Sequence, residues 1–370
     1  MSADGALSLN ERGILDCVRR QGALPRTDIA SLMGLTDASV SRLTRNLETR
    51  GLVRERVPNS SSGQRGSPKR PLVLNENGAY SLGVDFSPSH LDVGLLNLVG
   101  DLVWQGRTEV ANPSVDDIAD LTRSFIRQLA DEIGVRAQSI CGLGIAVPGY
   151  RSVQHGSFAV HPDFDALLAT DLQADLQHAL GLPVVVERDA VAAALGEKLL
   201  GHSRDGRSIC FIYIGQGIGG AFLSDGRIVH GAHGNAGGIG ALFPDDRRRP
   251  SGDDLFAFLG ASGISVESFA ELEALDPGQG PLRQWIVEAG RELRGGVAIL
   301  GRLFDPHMVI VGGRLPIAVS QALVSEIGVL DRPPHYTDDI PFPDILSSAF
   351  GPICGLIGAA SLPLQAAYFL

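Results

Sequence analysis

The run from Arg26 to Leu47 constrains this 370-residue chain more than any other stretch. Arg26-Thr27-Asp28-Ile29-Ala30-Ser31-Leu32-Met33 reads as a short helix, Gly34 as a turn, and the residues after Thr36 as a second helix. Ile29, Leu32, Val40, Leu43 and Leu47 are expected to pack inside, with Ser39, Ser41, Arg42 and Arg45 facing outward. Upstream, Ile14, Leu15 and Val18 recur at helical spacing. A helix pair joined by such a turn is the geometry that sets a second helix in the DNA major groove. Arg42 and Arg45 are therefore candidate DNA contacts, with Ser39 and Ser41 near base edges and Thr27 beside them on the first helix.

The segment after the helix pair fits a wing. Residues 51–57 alternate as a short strand, residues 59–68 are rich in turn formers, and residues 71–75 read as a returning strand. Arg65, Lys69 and Arg70 would lie along it for phosphate or minor-groove contact. On composition alone the same stretch reads as an interdomain linker.

Charge divides the chain in the same place. Residues 1–75 hold twelve Lys and Arg against seven Asp and Glu, inside a chain whose net charge is -11. A basic head on an acidic body suits a head that meets phosphates and a body that does not. Cys17, Cys141, Cys210 and Cys354 have no paired spacing and read as reduced, buried thiols. The polar start lacks the pattern of a signal peptide. The uncharged stretch 345–370 is broken by Pro352, Pro363 and several glycines, so it reads as a buried helix rather than a membrane span. A cytoplasmic protein without membrane contact is expected.

From Ala79 the pattern is α/β. Residues 80–86 and 91–97 read as strands around a turn at Ser87-Pro88-Ser89. A second strand–turn–strand unit returns at 208–223 around Gly215-Gln216-Gly217-Ile218-Gly219. Helices are expected over 115–134, 166–180, 190–200 and 282–303. Two such units imply an internal duplication into two lobes, with the ligand expected in the cleft between them.

The ordered motifs resemble the ROK family of repressors and sugar kinases, in its repressor form. Gly83-Val84-Asp85 stands at the first phosphate loop, and Gly142-Leu143-Gly144-Ile145-Ala146-Val147-Pro148-Gly149 at a strand-to-turn element. Residues 182–197 resemble the catalytic segment, Gly215–Gly220 the second phosphate loop, and Asp305-Pro306-His307 through Gly312-Gly313 the nucleotide-end strand. The resemblance implies an α/β fold: a winged helix-turn-helix followed by a two-lobed, actin-like (ribonuclease H-like, duplicated) domain. It places the head at 1–75, the first lobe at 76–200 joined by the C-terminal helix within 350–370, and the second lobe at 201–349.

Departures from the family pattern favour a regulator over an enzyme. The kinase loop Asp-Gly-Gly-Thr is here Asp85 followed by Phe86-Ser87-Pro88-Ser89, and Pro88 has no N–H for phosphate. Gly238 and Ala241 replace the family's sugar-binding glutamate and its histidine that also binds zinc. Residues 242–258 hold no cysteine, so neither a metal nor a cofactor is expected. His230 and His233 read as loop histidines without partner ligands.

Asp189 stands where kinases keep their base. It reads as a base, a hydroxyl contact or merely a helix cap. Arg188 replaces an Asn and either holds an anionic ligand or pairs with Glu187 or Asp189. Arg188, Asp189, Asn235 and Gly238 form the candidate effector site. Arg247-Arg248-Arg249, flanked by acids, reads as a solvated loop rather than a second nucleic-acid site. The expected partners are double-stranded operator DNA, a small sugar-like or anionic effector, and a second copy of the chain in a homodimer or tetramer. The competing reading is an ATP-dependent sugar kinase with an added head.

Overall fold

The computed structural model describes residues 6–56, 70–152, 158–160, 162–168, 170–205, 207–244, 246–328 and 341–370. The loop expected to form the wing tip, with Arg65 and Lys69, lies outside them, as does Asp245.

The head is built from α1 (Leu9–Gln21), α2 (Arg26–Met33) and α3 (Asp37–Thr49), followed by β1 (Val53–Glu55) and β2 (Leu72–Leu74). A capping box closes α1, with Ser8 and Glu11 serving each other's backbone N–H groups. Gly34 ends α2 at φ 63°, the left-handed conformation that lets the chain turn into α3. The Thr36 hydroxyl accepts from the Ser39 N–H and caps α3. β1 and β2 pair antiparallel, and Leu24 bridges to Leu72, so a strand pair does follow the helices.

Leu32 does not pack inside. It is 59% exposed. The inner face of the eight-residue α2 is Ile29 and Ala30 together with Met33, whose methyl group lies over Gly13 of α1.

The body contains two sheets with matching strand order. The first is formed by β3 (Tyr80–Phe86), β4 (His90–Asn97), β5 (Leu102–Glu109), β6 (Ile140–Val147) and, after the short pair β7 (Gly149–Arg151) and β8 (Phe158–Val160), β9 (Val184–Arg188). Its order is β5-β4-β3-β6-β9. Helices α4 (Val115–Ile133), α5 (Leu172–Leu180) and α6 (Asp189–Leu199) are interleaved with these strands. The second sheet comprises β10 (Ile209–Ile214), β11 (Ile218–Ser224), β12 (Arg227–Ile228), β13 (Met308–Gly313) and β14 (Asp344–Ser347), in the order β12-β11-β10-β13-β14. In each sheet the order places an initial meander beside two later strands, which is the duplication expected from the sequence.

Around the second sheet run α7 (Gly252–Ala261), α8 (Gly280–Phe304) and α9 (Ile317–Ile327), and the C-terminal α10 (Cys354–Tyr368) begins there with Cys354. Trp285, Leu255, Leu259, Leu293 and Leu323 form one core with the sheet residues Ile212 and Val311. A second core joins the Ala-rich α6 to Phe211, Ile310 and Cys354. The helix expected over 166–180 starts later, at Leu172, because a 3-10 turn takes up Pro162–Leu167. No helix among the described residues is long and apolar enough to cross a membrane.

Contacts divide the chain into two compact units. One is Met1–Ile145, Leu172–Val186 and Ala360–Leu370; the other is Ala146–Asp171 and Glu187–Ala359. This differs from the division at 76, 200 and 349 in three respects. The head stays with the first sheet, and α6 with the 146–171 excursion goes with the second. α10 belongs to both units, and its boundary at Ala359 is the residue whose carbonyl loses a helical partner to Pro363.

Candidate functional site

In the head, Arg26 is the residue that sequence patterning missed. From the first turn of α2 it donates to Thr44 Oγ1 (3.1 Å), Glu48 (2.7 Å) and Glu55 (2.7 Å), tying α2 to α3 and to β1. The hydrogen bond from Arg26 holds the Glu55 carboxyl below its ordinary range. With its partners fixed, α3 exposes Ser41, Arg42 and Arg45, and neither arginine side chain has an ion pair among the described residues. Ser39 is half-buried rather than outward, with its hydroxyl accepting from Thr36 Oγ1 in the cap. Thr27 is exposed and donates to Asp28, and Arg70 reaches Glu55 at 3.4 Å. Burial pushes the Cys141 and Cys210 thiols up to about 12, and all four cysteines are free.

The candidate effector residues all lie in the second unit. Glu187 and Arg188 end β9 and Asp189 opens α6. Asp189 is not the cap: Arg188 holds that position with extended backbone, and Asp189 Oδ1 accepts from the Ala190 N–H at 2.6 Å. The Arg188 guanidinium makes no ion pair with either neighbouring acid, although its backbone N–H donates to Glu187 Oε2 at 3.3 Å. Glu187 is taken by Arg151 at 2.6 Å, while Arg188 donates to the Ala236 carbonyl. Asn235 is consumed structurally. Its side chain accepts from the Arg151 N–H (2.7 Å) and donates to the Arg151 carbonyl (2.9 Å), holding β7 in place. A Cβ on Gly238 would stand 3.4 Å from the Tyr150 ring and 3.6 Å from its hydroxyl. His230 reaches Glu187 only at 4.0 Å.

The two segments at the family's phosphate-loop positions are closed by backbone hydrogen bonds. Ser87 and His90 exchange N–H···O bonds (2.9 and 3.4 Å), turning the first loop into a hairpin bend between β3 and β4. At the second loop, Gly252 donates to the Gly215 carbonyl and Asp253 to the Gln216 carbonyl, while Ser251 Oγ accepts from Asp254. The first N–H groups of α7 are therefore occupied. A cavity of about 390 Å³ beside this loop is lined by Arg247, Arg249 and Asp253, among others.

The arginine run is not wholly a solvated loop. Arg248 binds Asp254 (2.9 Å) and Glu288 (3.1 Å) and lies over the Phe258 ring (4.5 Å), and Asp254 accepts from Trp285 Nε1. Among the described residues no three His, Cys, Asp or Glu side chains are grouped to hold a metal.

A family model described as ROK family matches residues 81–253, and one described as MarR family matches residues 7–61. The uncharacterized protein y4fQ of Sinorhizobium fredii is 33% identical over 98% of this chain and 92% of its own length. The chain belongs to the ROK family. The xylose repressor of Caldicellulosiruptor bescii is 26% identical, covering 83% of each chain. A crystal structure described as a ROK family transcriptional regulator, homologous to the Escherichia coli Mlc protein, shares the fold. It has a TM-score of 0.72 and 24% identity, with 97% of this chain and 96% of that one covered. As a ROK protein with a MarR-type helix-turn-helix, the chain has the head and the duplicated α/β body that its sequence led us to expect.

Proposed function

We propose that this ROK protein is a DNA-binding transcriptional regulator, a repressor, whose body senses a sugar-derived effector instead of phosphorylating it. The observation that carries this reading is the α3 surface. A capped helix, fixed from behind by Arg26, presents Arg42 and Arg45 without internal counter-ions among the described residues. The similarity to a xylose repressor supports repression. Two such heads in a homodimer would read paired half-sites, and a tetramer would extend the same arrangement.

The hairpin bend at Ser87–His90 and the absent N–H of Pro88 speak against a phosphate cradle there. Asp189 favours the second reading, a sugar kinase, because the carboxylate stands at the start of α6. A coupled ADP-release assay over a sugar panel separates the two: turnover would establish the kinase.

α10 supplies a route from effector to head. In its first half, a Cβ on Gly358 would collide with the Ala192 backbone of α6, the helix that begins at Asp189. At its far end, Arg12 of α1 donates to the Gln365 and Phe369 carbonyls. An effector that moves α6 would act on the head through this helix, and a coupling of a few kcal/mol suffices to switch occupancy.

The test is salt-dependent binding to DNA upstream of the protein's own gene. Arg42→Ala should weaken binding and lower the salt slope by roughly 0.9 per lost phosphate contact. An unchanged slope and affinity for both Arg42→Ala and Arg45→Ala would remove α3 from the groove.

A further inference from the structure

We infer that the effector carries an anionic group, a carboxylate or phosphate on a polyhydroxylated carbon chain, and that Arg188 receives it. This rests on the reading of the body as a sensor and names the chemistry of its ligand.

Arg188 is 4% exposed, yet among the described residues its only side-chain hydrogen bond runs to the neutral Ala236 carbonyl. Its Nε is buried and has no partner. Among the described residues its guanidinium makes no ion pair: Glu187 is bonded to Arg151 and takes only the Arg188 backbone N–H (3.3 Å), and Asp189 receives the Ala190 N–H. Buried guanidinium groups are ordinarily paired and hydrogen-bonded, because the desolvated charge is otherwise costly. Burial pushes the Arg188 pKa down, against the opposing pull of Asp189 and Glu187, and the nearby Arg151 adds to the positive field.

A guanidinium that keeps Nε–H open offers the fork that binds carboxylate or phosphate through two parallel bonds. The surroundings suit an oxyanion. Position 238 carries no side chain, and the Tyr150 hydroxyl beside it is a neutral donor. Asn235, fixed on the Arg151 backbone, is not available to read hydroxyls. Recognition therefore falls on charge at Arg188 rather than on the hydroxyl-reading set expected from the sequence.

The experiment uses the full chain in two arms. In the first, ligand-free wild type, Arg188→Met and Arg188→Gln are melted. Removing an unpaired buried charge should leave both variants melting at or above the wild-type temperature. Melting of both variants several degrees lower would show the guanidinium to be internally satisfied and would overturn the inference.

In the second arm, isothermal titration compares D-glucuronate, D-galacturonate, D-gluconate and glucose 6-phosphate with glucose and galactose. At least one acid should bind ten-fold or more tightly than its neutral counterpart, and Arg188→Gln should erase that preference. The carboxylates and the phosphate separate the two sources of the anion. Neutral sugars binding as tightly as the acids, or no acid binding, would overturn it. Operator binding is measured on the same protein. DNA released by a neutral sugar sinks the anion and keeps the regulator; an acid bound through Arg188 without any operator binding does the reverse.

Discussion

Replacing Arg248 with Ala should destabilise the second unit by about 2–3 kcal/mol. The guanidinium is 25% exposed and its partners Asp254 and Glu288 are 20% and 33% exposed. Fully exposed pairs contribute from nothing to about 1 kcal/mol, so two largely sheltered pairs sharing one rigid fork are each assigned the top of that range, about 1 kcal/mol. Stacking on Phe258 at 4.5 Å adds roughly 0.5–1 kcal/mol. The loss is bounded because Asp254 keeps the Trp285 Nε1–H at 2.7 Å and is not stranded. For a domain of about 150–250 residues this corresponds to a fall of roughly 5–10 °C in Tm. Calorimetry of the full chain would measure it, and a double-mutant cycle with Asp254→Asn would isolate the pair. A change under about 0.5 kcal/mol, or no coupling in the cycle, would refute the claim that Arg248 fastens the segment where the ROK pattern places zinc ligands.

The same contacts set other expectations. Gly358→Ala should cost about 1–3 kcal/mol by thermal melting, since its methyl group must displace the Ala192 backbone of α6; an unchanged Tm would mean the helices do not meet so closely. Arg12→Ala should leave the salt slope of operator binding intact while raising the effector concentration needed for release at least three-fold; unaltered release would discount α10 as the route. Glu55 has its pKa lowered chiefly by the hydrogen bond from Arg26. Its contribution to head stability is thus complete above the ordinary carboxylate value and is lost as pH falls through the lowered folded value. Acid unfolding followed on wild type and Glu55→Gln should differ near neutrality and converge at low pH, and parallel curves would contradict the assignment.

Periodicity locates most of the fold because burial is what periodicity records. The strand 80–86 and the helices 115–133 and 280–304 have apolar faces long enough to set their own limits. Leu32 departs from the pattern because in a helix of eight residues the buried face is decided by which neighbour has room, and Gly13 makes that room for Met33. The short α7 and α9 are not legible in the sequence, since they are apolar nearly all round or flanked by charged loop, leaving no clear period.

Site residues are legible as types but not as partnerships. Arg26, Arg151 and Arg248 have hydrogen-bond partners as far as 29, 84 and 40 positions away in sequence, a pairing that only the fold reveals. Asn235 has the chemistry of a ligand residue and is a strand clamp, and the Arg188 guanidinium, flanked by two acids in sequence, makes no ion pair with either. The departures from the ROK pattern at Pro88, Gly238 and Ala241 are the strongest signals in the sequence, because each removes a specific N–H donor, carboxylate or imidazole.

Whether an effector in the body controls DNA binding by the head is tested most directly by fluorescence anisotropy. The target is the DNA upstream of the protein's own gene, titrated with and without the sugar and sugar-acid panel and with ATP. Control of the head by the body predicts tight, salt-sensitive binding that one compound releases without ATP. Affinity no better than for random DNA, or binding that no compound changes while ATP and a sugar are turned over, would contradict it.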